Sequence, residues 1–149
     1  MTVKQELFNL CELFVNKRLQ TVRETISSNQ KALQTETKSS AGDKHETGRA
    51  MLQLEMEKAG QQLAGITQMQ EVLEKIRTSK SSKTAHLGSI IKTDTNTFFL
   101  AISAGQLTAQ NKRFFAVSLS SPIGRLLLGK KENDKVVFNG KAINILQIS

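Results

Sequence analysis

The sequence contains neither tryptophan nor tyrosine, and seven phenylalanines are its only aromatic residues. Any core must therefore be mostly aliphatic, and a wide aromatic-lined pocket is disfavoured. The single cysteine, Cys11, excludes an internal disulfide, and its apolar neighbours predict a buried thiol on a helix. No apolar run is long enough to cross a bilayer, and the first residues lack the pattern of a secretion signal. We therefore expect a soluble, cytoplasmic protein.

Acidic residues are scarce in the second half of the chain. Residues 1–78 carry 11 basic and 10 acidic residues, whereas residues 79–149 carry 10 basic and only 3 acidic residues. Of the net charge of +8, a share of +7 therefore falls on residues 79–149. Such a surface favours nucleic acid or an acidic protein as a partner without choosing between them, and a solvated basic surface with no dedicated partner is also compatible with it.

Two stretches have the periodicity of amphipathic helices. Residues 3–37 contain no proline or glycine, and their apolar residues recur at steps of three and four. A second series with this spacing covers residues 52–76, although it includes two glycines. Apolar positions of the two series pair at a nearly constant sum of residue numbers, as Leu19 does with Leu63. A constant sum indicates an antiparallel hairpin, with each arm roughly 50 Å long.

Residues 1–78 are thus predicted to form a helical hairpin whose tip lies near residues 39–47. A longer helical bundle or a parallel dimeric coiled coil would show a similar periodicity. Residues 79–85 have the composition of a linker, and the pattern changes directly after them. This early change leaves no room for further long helices, which favours the hairpin.

The remaining residues, 86–149, contain short runs rich in β-branched and aromatic residues, which predict strands. Asn139-Gly140 suits the two-residue turn of a hairpin, while Pro122 can open a short helix that Gly129 ends. The predicted fold is α+β, a long antiparallel helical hairpin followed by a small antiparallel sheet around one short helix. The predicted strands cover residues 87–92, 97–102, 114–119, 135–138 and 142–148.

A more specific pattern occupies the predicted short helix and the residues after it. Ser121-Pro122-Ile123-Gly124-Arg125 is followed by Leu128-Gly129-Lys130-Lys131-Glu132 and then by Asp134. This pattern resembles the signature of the C-terminal domain of the GreA/GreB family of bacterial transcript-cleavage factors. The resemblance implies an FKBP-like fold for residues 86–149 and implies that residues 121–125 bind RNA polymerase.

The predicted tip carries a second, weaker likeness to this family. Gly42-Asp43-Lys44-His45-Glu46-Thr47 is similar to the family's Gly-Asp-Leu-Ser-Glu-Asn, with both acidic residues at the same spacing. Lys44 and His45 depart from that pattern. In addition, Arg49 stands where the family often has a third acid, and Ala50 where it has a tyrosine.

The resemblance implies a monomeric accessory factor, rather than an enzyme by itself, that enters the secondary channel of RNA polymerase and reaches the nascent RNA near its active site. Asp43 and Glu46 would then act as catalytic residues that hold a Mg²⁺ shared with the polymerase and promote cleavage of backtracked RNA. No cofactor is expected on the isolated protein. The spacing of the two acids is also that of a capping box at the start of a helix.

Neither histidine has a partner that indicates catalysis. Two acids and one histidine in a loop do not define a metal site, so we interpret His45 as a solvated loop residue. We expect His86 to be exposed at the start of a strand.

Three other functions remain open. Arg49 motivates a channel-binding regulator that does not cleave RNA, because a cation beside the two acids opposes metal binding. A prolyl isomerase is disfavoured because the phenylalanines are needed to fill the core. A coiled-coil adaptor that binds DNA or RNA without specificity would lose affinity steeply with salt.

Overall fold

We describe the fold from a computed structural model, which defines the backbone of residues 1–38 and 43–149 and the side chains of residues 1–35 and 46–149. Two long helices, α1 (Val3–Lys38) and α2 (Asp43–Arg77), begin the chain, as the periodicity predicts. The chain divides into two compact units, one made of residues 1–14 and 69–149 and the other of residues 15–68. The α+β class is confirmed.

Both helices have the termini that their sequences favour. At the start of α1, the Thr2 hydroxyl accepts a hydrogen bond from the N–H of Gln5 (3.2 Å), and the Gln5 side chain accepts one from the N–H of Thr2 (2.9 Å). This reciprocal pair is a capping box, which satisfies N–H groups that have no partner within the helix. At the end of α2, Lys75 and Arg77 lie in the last turn, where a positive charge complements the helix dipole.

The unit of residues 15–68 buries one stripe of each helix. Val15 and Val22 on α1 and Ala59 and Ile66 on α2 are at most 6% exposed. The predicted opposite pair, Leu19 and Leu63, is half-buried, and their mutual contact stays a prediction. Part of the predicted tip, residues 39–42, lies outside the described residues.

One buried position in this stripe is polar. Asn29 is 7% exposed, and its Nδ2 has no hydrogen-bond partner among the described residues. A buried amide without a partner costs about 1–3 kcal/mol, because it has lost its bonds to water.

Asn29→Leu should therefore raise the free energy of unfolding by about that amount, measured by urea denaturation. Asn16→Leu, at an exposed position of the same helix, is the control and should change stability by at most about 0.5 kcal/mol. Equal effects of the two variants would contradict this explanation.

The second half of the chain forms a six-stranded sheet with the order β3-β4-β2-β1-β6-β5. Four of its five neighbouring strand pairs are antiparallel, but β2 and β4 run parallel, with Phe98 opposite Phe115. The expected all-antiparallel sheet was therefore wrong, and the sheet is mixed. The strands are β1 (Ile90–Thr93), β2 (Thr97–Ala101), β3 (Gly105–Ala109), β4 (Lys112–Ser118), β5 (Lys135–Phe138) and β6 (Lys141–Ile148).

The parallel pair arises from a strand that the sequence pattern did not predict. Strand β3 lies at the edge of the sheet and pairs only with β4, so β4 is placed between β3 and β2. The β3–β4 turn uses Gln110 and Asn111, both with positive φ (50° and 61°). The predicted turn at Asn139-Gly140 is confirmed between β5 and β6, again with positive φ at both residues (51° and 78°).

One face of the sheet packs around the short helix α3 (Pro122–Leu127). Leu127, Leu100 and Ile145 in this cluster are fully buried. Alternate residues of β2 and β4, including Phe99 and Ala116, are buried on the opposite face. The five phenylalanines of the sheet thus contribute to packing, as expected: Phe98, Phe99 and Phe114 are buried, and Phe115 and Phe138 are half-buried against the core.

Cys11 is buried, as its neighbours predict, and is 0% exposed. Burial raises the pKa of its thiol from 9.0 to about 12, because the thiolate would lose its hydration. The native thiol should therefore resist alkylation near neutral pH and react only when the chain unfolds. Ser28→Cys, which adds a thiol at an exposed position of α1, should react once and quickly and leave one slow thiol. Two fast thiols in this variant would contradict the burial of Cys11.

The same shift has a consequence for stability. Because the folded pKa of Cys11 lies above the unfolded one, its contribution to stability is complete below pH 9.0 and is lost as the pH rises toward about 12.

None of the helices in the described part of the chain has both the length and the apolar character needed to cross a bilayer.

Candidate functional site

The segment Ser121–Arg125 forms a rigid turn from the end of β4 into α3. The Ser121 hydroxyl donates to the carbonyl oxygen of Ser118 (2.6 Å) and accepts from the N–H of Gly124 (3.1 Å). Ser121 is therefore the N-cap of α3, and Pro122 occupies the first helical turn, where its missing N–H costs nothing. Ile123 is 8% exposed and belongs to the core, so it anchors the turn.

Gly124 allows this turn to close tightly. A Cβ at this position would lie 2.0 Å from the carbonyl oxygen of Ser118, a distance that no side chain can occupy. Only glycine lets α3 approach the end of β4 this closely. Helix α3 ends at Leu127, two residues before the predicted Gly129, which takes a φ of +81° in the turn that follows the helix.

The acidic residues of the motif also have structural roles. A carboxylate oxygen of Asp134 accepts from the N–H of Lys131 (2.7 Å), and one of Glu132 accepts from the N–H of Ile148 (3.3 Å). The first bond closes a turn within the connection between α3 and β5, and the second holds this connection against β6. Ser121, Gly124, Glu132 and Asp134 are thus all explained by the local fold.

Arg125 is the exception in this motif. Its side chain is exposed, and its guanidinium makes no ion pair or side-chain hydrogen bond with any described residue. Its backbone is held by the rigid turn of Ser121 and Gly124, while its side chain extends from that turn with its charge uncompensated. This combination suits a contact with an acidic partner.

The basic surface of residues 79–149 is unpaired in the same way. Its lysines and arginines make no ion pair with any described residue. The third acidic residue, Asp94, accepts two hydrogen bonds from Asn144 (3.1 and 2.9 Å), which lower the pKa of its carboxyl. The exposed cations of this region are Lys80, Lys83, Lys92, Lys112, Arg113, Arg125, Lys131, Lys135 and Lys141.

The segment predicted as a linker, residues 79–85, has no helix or strand but is anchored at its end. The N–H of Ala85 donates to the carbonyl of Lys130 (2.8 Å), and the carbonyl of Ala85 accepts from Gly129 (2.8 Å). The chain leaving α2 is therefore tied directly to the end of α3.

His86 was expected to be exposed, and this was wrong, because it is half-buried. Its Nε2 lies 2.8 Å from the carbonyl oxygen of Lys80, and its Nδ1 lies 3.2 Å from that of Thr84. The Ser89 hydroxyl oxygen lies 2.9 Å from Nδ1. Ser89 is 0% exposed and cannot reach a substrate, so this serine–histidine pair is structural.

The two acidic residues of the predicted tip lie in the first turn of α2, which begins at Asp43. Glu46 is exposed, whereas the side chains of Asp43 and His45 lie outside the described residues. Residues three apart lie on the same side of a helix, so Glu46 shares its side with Arg49, which is also exposed. Among the described side chains, no three acidic, histidine or cysteine groups cluster as a metal site.

No family model matches the chain, and a search of curated proteins finds no significant match.

Proposed function

We propose that this protein is an accessory factor of bacterial RNA polymerase with a GreA/GreB-like architecture. In this proposal residues 86–149 have an FKBP-like fold and bind the rim of the secondary channel through the segment Ser121–Arg125, of which Pro122 and Arg125 are exposed. One observation carries the proposal. Ser121, Pro122 and Gly124 form a rigid turn, and the turn leaves Arg125 exposed and unpaired. Because the turn already fixes the backbone of Arg125, binding to an acidic partner would order only the side chain.

The two long helices support the second part of the proposal, in which the start of α2 reaches the polymerase active site. A helix of 35 residues is roughly 50 Å long, which is sufficient to cross a deep channel. Asp43 and Glu46 would hold a Mg²⁺ jointly with the polymerase, because hard carboxylate oxygens suit this ion. Two carboxylates one turn apart make a partial donor set, which fits a shared ion better than a site of the protein's own.

When bound, Mg²⁺ neutralises charge on the attacking and leaving oxygens of the RNA phosphate. Asp43 and Glu46 would position this ion together with the polymerase carboxylates. Glu46 is exposed and therefore accessible to such an ion.

A second function is favoured by one observation. Arg49 is exposed on the same side of α2 as Glu46, and no described residue pairs with it. A cation there opposes Mg²⁺ binding by charge. The alternative is therefore a regulator that binds the same channel and does not promote cleavage.

The test is to add the purified protein to stalled, backtracked elongation complexes and to follow the RNA on a gel. We expect Mg²⁺-dependent shortening of the transcript from its 3′ end. Binding without shortening would favour the regulator, and an absence of binding would contradict both functions.

Two variants, each of which removes one positive charge, test the binding surface separately. Arg125→Ala should lower the affinity for polymerase by about tenfold or more, because it removes a charge-assisted contact. Lys141→Ala removes an equally exposed cation from the β5–β6 hairpin and is the control. Equal losses for the two variants would mean that only net charge matters, and the assignment of Ser121–Arg125 would be wrong.

A further inference from the structure

A groove of about 360 Å³ lies where the start of α1 meets the end of α2 and the residues that follow it. All of its lining residues belong to the compact unit of residues 1–14 and 69–149. The proposed polymerase function uses none of them. The groove is within the size range of small-molecule sites, and its wall combines the apolar surface of Phe8 and Ile76 with several hydrogen-bond donors.

Arg77 is held in a defined position in this groove. Its guanidinium carbon lies 5.1 Å from the centre of the Phe8 ring. Its Nε donates to Glu74 (3.2 Å), and one terminal nitrogen lies 3.5 Å from a carboxylate oxygen of Glu12. A guanidinium has five N–H donors, and these two contacts leave the others available in a fixed orientation.

Two further donors of the groove have no partner. The ammonium of Lys4 and the hydroxyl of Ser81 make no hydrogen bond or ion pair with any described residue. Lys4 is half-buried, and burial lowers the pKa of its ammonium because part of its hydration is lost. The only carboxylate in the lining is that of Glu12, which already faces Arg77.

We propose that this groove binds the phosphate group of a small molecule, with Lys4, Arg77 and Ser81 as its donors. A phosphate presents several strong acceptors to donors on α1, at the end of α2 and just after it, whereas a neutral ligand would leave the charge of Lys4 uncompensated. The groove is larger than one phosphate, so an attached organic group has room beside Phe8. Free phosphate and a nucleoside monophosphate share this chemistry, and the experiment distinguishes them.

The experiment is a titration of the full-length, ¹⁵N-labelled protein with inorganic phosphate and, separately, with a nucleoside monophosphate, at constant ionic strength. Both probes should shift the amide signals of Lys4, Gln5 and residues 77–81. Tighter binding of the nucleotide, with a shift at Phe8, would identify an organic phosphate as the ligand. Equal affinities would identify the phosphate group alone.

Variants decide whether the binding is local. Lys4→Gln should weaken binding roughly tenfold through the loss of one charge-assisted bond, and Lys4→Arg should largely preserve it. Lys83→Gln is the control, since Lys83 is exposed, close in sequence to Ser81 and absent from the groove. Shifts spread over the basic strands, or an equal loss in Lys83→Gln, would overturn the proposal, and so would unchanged spectra.

Discussion

Replacing Asp43 by asparagine is expected to abolish stimulated RNA cleavage while leaving folding and polymerase binding nearly unchanged. Asparagine caps a helix about as well as aspartate does, but it is a far poorer ligand for Mg²⁺. Asp43 is the first residue of α2, where a negative charge can also stabilise the start of the helix. The measurement is the cleavage rate on backtracked complexes at saturating binding.

Two further variants separate capping from metal binding. If the residue only caps α2, Asp43→Asn should be silent, whereas Asp43→Ala should cost about 0.5–2 kcal/mol of stability. If the pair positions Mg²⁺, Glu46→Gln should reduce cleavage without this loss of stability. Cleavage that survives in both Asp43→Asn and Glu46→Gln would contradict a metal role.

A substitution of Arg49 tests the same metal role with a variant that should increase the cleavage rate. Arg49→Glu replaces an exposed cation with an acid on the same side of α2 as Glu46. It should raise the cleavage rate, because a third negative charge favours Mg²⁺ near the pair. If neither the natural protein nor Arg49→Glu promotes cleavage at saturating binding, the non-cleaving regulator is the better description.

The second large effect is expected at Gly124. In Gly124→Ala the added methyl group would lie 2.0 Å from the carbonyl oxygen of Ser118 and 2.9 Å from the hydroxyl of Ser121. That carbonyl cannot move away freely, because it accepts bonds from both the N–H (3.1 Å) and the hydroxyl (2.6 Å) of Ser121. We expect a loss of about 1–3 kcal/mol, seen as a lower urea midpoint.

A glycine-to-alanine substitution elsewhere in the chain is the matched control, and there we expect stability to increase rather than decrease. Gly60 lies in the interior of α2, and a Cβ at this position would meet nothing within 4 Å. Gly60→Ala should therefore stabilise the protein by about 0.5–1 kcal/mol through helix propensity. If Gly124→Ala were as stable as the natural protein, the tight approach of α3 to β4 described above would be contradicted.

Under the proposed function, Gly124→Ala should also weaken polymerase binding where the protein is still folded, because Arg125 would be displaced.

Local patterns in the sequence were sufficient for much of the fold. The apolar periodicity located α1 and α2, Pro122 marked the start of α3, and Asn139-Gly140 located the β5–β6 turn. Each of these features depends on residues within a few positions of one another, so the chain carries the information locally.

Other features depend on residues far apart in sequence, and only the tertiary structure decided them. Strand β3 has a single buried residue, Ala109, so its apolar pattern is too weak to predict, and without it the parallel β2–β4 pair cannot be foreseen. His86 was misjudged because its bonds to Lys80 and Ser89 depend on how the chain folds after α2. The groove at Lys4 and Arg77 joins residues from opposite ends of the two helices. The sequence by itself determined where the helices and turns lie, whereas strand pairing and the convergence of distant side chains required the folded chain, because they arise from packing between segments that no local pattern relates.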